Sequence, residues 1–160
     1  MKINEDYKMI RSVLKEKKVK NRYVADVGVV AEIKYSDAET YTFEIIGENL
    51  LVCTALLKRR ALDTEIAKMT DFANGLNGHL AAVRAHVDRK SGEFKLDHCT
   101  YFPKDDLSPV DVRECWDHLQ WVVNVYSESF EFVYNDEWTG EEELKAMGEL
   151  LSTGWGQSED

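Results

Sequence analysis

The chain has 160 residues, of which 44% are hydrophobic and 11% are aromatic. A chain of this length most naturally forms one domain, and this apolar content excludes disorder over most of it. Its 20 basic and 30 acidic side chains give a formal net charge of −10. Because the nucleic-acid backbone is itself densely negative, so acidic a chain has no general attraction to it. We therefore expect a folded domain that does not bind nucleic acid.

The charge is distributed unevenly. Residues 1–22 hold eight basic and three acidic side chains, whereas residues 105–160 hold two basic and fifteen acidic ones. Such asymmetry is typical of a solvated acidic face that keeps a protein soluble, or of head-to-tail association and recognition of a basic partner. Both interpretations stay open.

The sequence lacks two features that would indicate a location outside the cytoplasm. The first thirty residues lack the apolar segment of a secretory signal, and no stretch approaches the ~18 apolar residues of a membrane-spanning helix. The three cysteines, Cys53, Cys99 and Cys115, form an odd set without a CxxC pair, as is typical of reduced cytosolic thiols. We predict a cytoplasmic protein with no membrane association.

The first elements are a helix and a strand. Asn4 is a suitable N-cap for a helix over residues 5–18, with acidic residues in its first turn and lysines in its last. The apolar spacing then changes from 3.6 residues to 2. This alternation continues from Tyr23 to Tyr35 and predicts a single strand.

A hairpin follows this strand. The alternation restarts at Tyr41, and Gly47-Glu48 suits a two-residue turn, which sets Phe43 opposite Val52. The strand over residues 50–57 is apolar on both faces. It is predicted to be central in the sheet and covered on both sides.

A second helix, over residues 63–77 with Asp63 as its cap, precedes a second hairpin. A loop at residues 89–92 sets Val87 opposite Phe94 and places Arg84 opposite Asp97 as a cross-strand ion pair.

The last elements are helical. Ser108 as N-cap, Pro109 at the first position and Asp111 at the third predict the start of a long helix. Its apolar stripe runs from Val112 to Val133. A short final helix is predicted over residues 140–151.

The order α-β-β-β-α-β-β-α, with an extra C-terminal helix, resembles the type III secretion chaperone-like fold. Within that fold it is similar to the YbjN-like family of proposed bacterial sensory transduction regulators. The resemblance rests on the hairpin YTFEIIGENLLV (residues 41–52), the segment Met69 to Cys99, and Ser108-Pro109 with the long helix. It covers about residues 5–135, and this divides the chain into a domain at 1–135 and an acidic helix and tail at 136–160.

The resemblance implies an α+β fold in which helices pack on an antiparallel sheet. It also implies a non-enzymatic, dimeric, protein-binding role without a cofactor, either as a regulator of stress or sensory signalling or as a secretion-type chaperone for a specific partner. The family supplies no catalytic residue to transfer to this chain.

A zinc site is the sharpest chemical alternative and would make this a small metal-binding protein. Cys115 and His118 share a helix face, and His98-Cys99 lie on a strand. Adjacent strand residues point to opposite faces, so we predict that no metal binds. A nucleophile–base pair of Cys53 or Cys99 with His86 has no sequence context that fixes its geometry, and we predict that the protein is not an enzyme.

The aromatic side chains near the C-terminal end of the long helix are the best candidate for a partner-binding site. Trp and Tyr are enriched where interfaces bury most energy, although the same rings also suit a helix packed between the sheet and the final helix. The candidate partner-binding residues are Trp121, Tyr126, Phe130, Phe132, Tyr134 and Trp138.

Overall fold

The computed structural model describes residues 4–104, 106–135, 140, 142, 144 and 145. These residues form one antiparallel sheet with strand order β1-β2-β3-β4-β6-β5. The elements are, in chain order, α1 (Glu5–Glu16), β1 (Lys20–Val24), β2 (Gly28–Glu32), β3 (Ala38–Ile46), β4 (Leu50–Arg60), α2 (Ile66–His79), β5 (Val83–Val87), β6 (Glu93–Tyr101) and α3 (Pro109–Tyr134).

The expected α+β architecture is confirmed, with the helices packed on one face of the sheet. Leu14 of α1, Phe72 of α2 and Trp116 of α3 belong to the same hydrophobic core as Phe43 and Leu96 of the strands. We call this face of the sheet the inner face. No helix among the described residues packs against the opposite, outer face.

The single strand predicted from Tyr23 to Tyr35 is wrong, because the chain forms a hairpin there. β1 pairs with β2, and Tyr23 lies opposite Val29. Asp26 and Gly28 take positive φ values of 64° and 104° in the turn, and a Cβ on Gly28 would collide with the Phe43 carbonyl oxygen. The three-residue turn keeps odd-numbered residues on the inner face in both strands, so the alternation continues across the reversal.

The β3–β4 register also differs from the prediction. The loop contains three residues, 47–49, and Phe43 lies opposite Cys53 instead of Val52. A change of one residue exchanges the two faces of a strand. Leu51, Cys53, Ala55 and Leu57 are therefore buried on the inner face. β4 is central, as predicted, but its outer face is not covered by a described helix.

The β5–β6 register is confirmed, with Val87 opposite Phe94 and Arg84 opposite Asp97. The predicted ion pair between Arg84 and Asp97 is not what forms. Asp97 Oδ2 lies 3.3 Å from His86 Nδ1, two residues further along β5 on the same face.

Helix boundaries follow local capping. α2 begins at Ile66, and Asp63 is not its cap; Glu65 instead accepts a hydrogen bond from the Leu62 backbone N–H. At α3, Ser108 and Asp111 form the capping box, which confirms the predicted start.

The predicted final helix lies largely outside the described residues. Gly140, Glu142, Leu144 and Lys145 are helical, and Leu144 is buried beside Gly75 of α2. Among the described residues, no helix combines the length and apolar character needed to cross a bilayer.

Candidate interaction surfaces

Three of the six candidate aromatic residues are core residues. Tyr126, Phe130 and Tyr134 are at most 3% exposed. The Phe130 ring centroid lies 5.5 Å from that of Phe72 and 4.9 Å from that of Phe94. The expectation that these rings are displayed to a partner is wrong, because the buried side of α3 is wide enough to include them.

Tyr134 links the C-terminal end of α3 to β4 through contacts with Arg59. The Arg59 guanidinium lies 4.3 Å from the centre of its ring, and its hydroxyl donates to the Arg59 carbonyl at 3.3 Å. Burial raises the pKa of Tyr134 to about 12, against the opposing effect of the Arg59 charge. Its role in the monomer is to hold the helix in place.

The other three candidates have different positions. Trp121 is 45% exposed on α3, so it remains a candidate contact. Phe132 is half-buried and contacts its surroundings. Trp138 lies outside the described residues.

The metal-ligand candidates converge in part. His98 is buried on the inner face, where its Nε2 lies 3.1 Å from His118 Nδ1 and its Nδ1 lies 3.2 Å from Cys115 Sγ. Thr100 Oγ1 completes the cluster at 3.1 Å from the same sulfur. Cys99 is exposed on the outer face, as the alternation of the strand requires.

The chemistry of this cluster is that of a neutral hydrogen-bonded group. Burial, and then the neighbouring His118, lower the pKa of His98, and burial raises the pKa of the Cys115 thiol to about 11. A nucleophilic cysteine needs the opposite shift. Within the described part of the chain, no three His, Cys, Asp or Glu side chains are grouped so as to hold a metal ion.

The other proposed pair is also separated. Cys53 is fully buried on the inner face, where burial raises its thiol pKa well above the usual value. His86 lies on the outer face, beside Asp97. The sheet therefore separates Cys53 from His86. Cys99 shares the outer face with His86, but it lies four residues along β6 from Lys95, the cross-strand partner of His86.

The outer face of the sheet displays an apolar patch at one end. Ile46 and Leu50 are paired across β3 and β4, and Leu50 is paired with Tyr101 of β6. The next row places Val52 beside Cys99. We call these five residues the Tyr101 patch. Its most exposed side chains are Tyr101 at 76% and Ile46 at 49%.

The other end of the outer face is polar. Thr54 Oγ1 donates to Asp97 at 2.6 Å, and Lys95 and His86 lie opposite each other one row further. Leu56 is the half-buried apolar side chain of this row, so the more exposed apolar side chains lie at the Tyr101 end.

The two edges of the sheet differ. β5 lies at one edge, and Asn77 of α2 bonds it as a neighbouring strand would. Ala85 N–H donates to Asn77 Oδ1 at 2.7 Å, and Asn77 Nδ2 donates to the Ala85 carbonyl at 2.9 Å. β1 lies at the other edge. Among the described residues, no group outside the β1–β2 hairpin bonds its backbone.

A basic hollow of about 900 Å³ lies where β1 begins. We call it the lysine hollow. Its walls include four lysines and two glutamates, and the apolar side chains Val19, Ile33 and Trp116 also line it. The charged lining residues are Lys17, Lys18, Lys20, Lys34, Glu32 and Glu39.

The sequence interpretation missed these surfaces for identifiable reasons. The signal of the Tyr101 patch was present, because residues 50–57 are apolar on both faces; it was interpreted as cover on both sides. In the sequence, the lysines of the hollow are recognised only as part of an uneven distribution of charge along the chain. The role of Asn77 has no sequence signal, since it depends on α2 lying against β5.

Comparison with known proteins supports the fold. No family model matches the sequence, and neither does any curated protein. The crystal structure of YbjN, a proposed transcription regulator from E. coli, matches with a TM-score of 0.59 at 8% identity, over 76% of this chain and 91% of that chain. The Yersinia pestis type III secretion chaperone SycH, solved in complex with a stable fragment of YscM2, matches with a TM-score of 0.45 at 12% identity, over 74% and 98% of the respective chains. The match to YbjN confirms the predicted resemblance of the fold.

Proposed function

We propose that this chain is a non-enzymatic, cytoplasmic, protein-binding regulator that acts as a homodimer. The observation that carries the proposal is the Tyr101 patch, on a sheet face that no described helix covers. The binding domain is the segment 1–135. The fold shared with YbjN is compatible with a regulatory role, although at this identity it is evidence for the fold alone.

The patch has the composition of a binding surface. Apolar surface removed from water contributes about 25 cal/mol per Å², and aromatic side chains surrounded by half-buried apolar neighbours are common energetic centres of interfaces. Tyr101 lies beside Leu50 as its cross-strand partner, with Val52 in the adjacent row. A strand that is apolar on both faces is normally covered on both, and here the second cover is missing from the described chain.

A second copy of the chain is the proposed cover. Two sheets pack face to face with their strands nearly aligned, and a two-fold axis brings the same patch from both copies together. Tyr101 of each copy then covers Leu50 and Val52 of the other. Glu44 lies opposite Val52 and is exposed, so it borders the patch at the rim of the proposed interface, and Asp97 lies in the next row beside Thr54.

The test compares two single substitutions on rival surfaces. We expect the unmodified protein to be a dimer in light scattering at micromolar concentration, and Tyr101→Glu to make it a monomer because a buried unpaired carboxylate opposes association. Trp121→Glu, on the exposed part of α3, is the matched control and is expected to leave the dimer intact. Circular dichroism verifies that both variants are folded.

Two results would contradict the proposal. If the unmodified protein is strictly monomeric, the proposed dimer does not form. If Trp121→Glu produces a monomer and Tyr101→Glu does not, the dimer interface lies on α3 and not at the Tyr101 patch. Cys99 gives an independent readout. It is the exposed one of three cysteines, and its reaction with a maleimide is expected to slow as protein concentration rises and the patch becomes covered.

A further inference from the structure

The edge strand β1 has an unused row of backbone hydrogen-bonding groups. Alternate N–H and C=O groups of an edge strand point away from the sheet. At β5 the Asn77 amide bonds one such pair, and α2 packs alongside. At β1, α1 packs against the strand, but no described residue bonds the outward backbone groups. An extended segment of another chain can therefore add to the sheet at β1.

The charges beside this edge favour an acidic segment. Lys17 pairs with Asp117 at 2.6 Å, and Lys20 pairs with Glu32 at 3.5 Å. Lys18 and Lys34 form no ion pair with any described residue; the Lys34 ammonium lies 5.2 Å from the centre of the Tyr35 ring. Two cations at the lysine hollow are thus available to carboxylates, in a protein whose net charge is −10.

Lys18 holds its position at a conformational cost. Its N–H donates to the Lys15 carbonyl at 2.9 Å, and the Val19 N–H donates to the Leu14 carbonyl at 2.8 Å. This is the Schellman pattern that ends α1, in which the left-handed residue is usually glycine. Lys18 occupies that position with φ of 59°. The left-handed backbone carries a steric cost for lysine that glycine does not have.

The floor of the hollow adds a donor. Gln120 Nε2 is buried and has no hydrogen-bond partner among the described residues, while the Gln120 side chain lies near enough to the Tyr41 hydroxyl to oppose the rise that burial causes in the pKa of Tyr41. A carboxylate or carbonyl oxygen entering the hollow is a suitable acceptor for this group.

We infer that β1 and the lysine hollow bind an extended acidic segment of a partner protein, which adds to the sheet beside β1 and places carboxylates against Lys18 and Lys34. This inference deepens the proposed function by naming the chemical class of the partner, and it uses a different surface from the Tyr101 patch.

A peptide fits this surface better than a nucleic acid does. Glu32 and Glu39 line the hollow between the lysines, and they repel a continuous phosphate backbone. A nucleic acid also cannot form the ladder of backbone hydrogen bonds that β1 offers. An acidic peptide uses both the edge and the lysines, and spaces its carboxylates two residues apart on one face.

The experiment uses the full chain and four fluorescent probes in a polarisation assay. The probes are a ten-residue peptide alternating Glu and Val, the same peptide with Lys for Glu, the Glu peptide N-methylated at alternate residues, and single-stranded oligo-dT of ten nucleotides. We expect binding of the Glu peptide alone, with affinity falling as salt is raised. Hydrogen exchange is expected to slow at β1 amides and to stay unchanged at β5 amides.

The decisive variant is Lys18→Gly, which relieves the left-handed strain and removes the charge. We expect the affinity for the Glu peptide to fall by about 3–10-fold and Lys18→Arg to keep it. Asp26→Gly is the matched control, because Asp26 also has a positive φ, of 64°, in the β1–β2 turn. It is expected to leave peptide affinity unchanged.

Several outcomes would overturn the inference. If the N-methylated peptide binds as tightly as the Glu peptide, the partner does not add as a strand. If oligo-dT binds as tightly or more tightly, the surface binds nucleic acid. If Lys18→Gly leaves the affinity unchanged, the lysine hollow is not part of the site. Absence of binding by the Glu peptide removes the acidic segment. Failure here is separable from failure of the proposed function, because Tyr101→Glu is expected to retain peptide binding while losing the dimer.

Discussion

The two outermost strands of the sheet, β1 and β5, have the same length but differ in how their free sides are bonded. Each contains five residues and pairs on one side only. The free side of β5 is bonded by Asn77 at Ala85, whereas the free side of β1 has no described backbone partner and the lysine hollow lies where the strand begins. At the β5 edge, Ala85 is hydrogen-bonded by Asn77 of the same chain. At the β1 edge, positive charge opposes pairing with the same edge of a second copy.

This difference explains how an open edge can be selective. Lysines on an edge strand oppose pairing with a second copy of the same edge, because like charges would be brought together. Lys18 and Lys34, at the hollow where β1 begins, attract a carboxylate-rich segment. Repulsion of a second copy and attraction of an acidic segment then both come from basic side chains around one edge. At the β5 edge, the Ala85 N–H and C=O are already bonded by Asn77 and are not available to another strand.

Opening the closed edge is expected to have the largest effect. Asn77→Ala removes two hydrogen bonds to Ala85, each contributing about 1 kcal/mol, and we expect the free energy of unfolding to fall by about 2 kcal/mol in urea titration. Asn74→Ala, an exposed position on the same helix, is the control and should change stability by less than about 0.5 kcal/mol. Equal stability of the two variants would show that Asn77 does not hold the β5 edge.

Relieving the backbone at the open edge is expected to have a smaller and opposite effect. Lys18→Gly should raise the free energy of unfolding by about 1 kcal/mol, because glycine takes the left-handed conformation without steric cost. Asp26→Gly should give a smaller gain, since Asp tolerates this conformation better than Lys does. A destabilised Lys18→Gly variant would argue against strain at the start of the open edge.

Acidification is expected to give the smallest effect and to act on the β5 side of the sheet. His98, opposite Val83 of β5, has a pKa below its usual 6.5 when folded, so the unfolded chain binds more protons as the pH falls through 6.5. Stability is then lost on lowering the pH. His118 on α3 faces it, and the Cys115 thiol, with its pKa near 11, stays protonated throughout.

The measurement is the urea midpoint between pH 7.5 and 5.5. Replacing the buried imidazole by His98→Gln should flatten the pH dependence, while His79→Gln, on the exposed end of α2, should retain it. The same slope in both variants would exclude His98 as its source.

Prediction from sequence succeeded where local chemistry decides structure. Ser108, Pro109 and Asp111 fix the start of α3 through capping groups only three residues apart. The β5–β6 register followed from matching both faces of one short hairpin. The β3–β4 register failed because the number of loop residues after Gly47 could not be counted from composition, and one residue reverses which side of β4 faces the core.

The candidate surfaces divide in the same way. The aromatic residues of α3 were visible in the sequence, but burial of Tyr126, Phe130 and Tyr134 depends on how α3 packs against the sheet and α2. The sequence shows only part of the cluster of His98, Cys115 and His118. The spacing of Cys115 and His118 along α3 is local, whereas their distance from His98 on β6 depends on the tertiary structure. Asn77 and Ala85 meet only through the packing of α2.

The sequence by itself determined an acidic α+β chain, with its helix starts, its apolar strands and its basic first segment, because these depend on residue types within a few positions of one another. Only the tertiary structure decided which face of β4 is covered, which edge of the sheet is closed, and that Lys18 stands beside the open one. Those outcomes depend on contacts between residues far apart in the chain, and the spacing of side chains along one segment does not contain them.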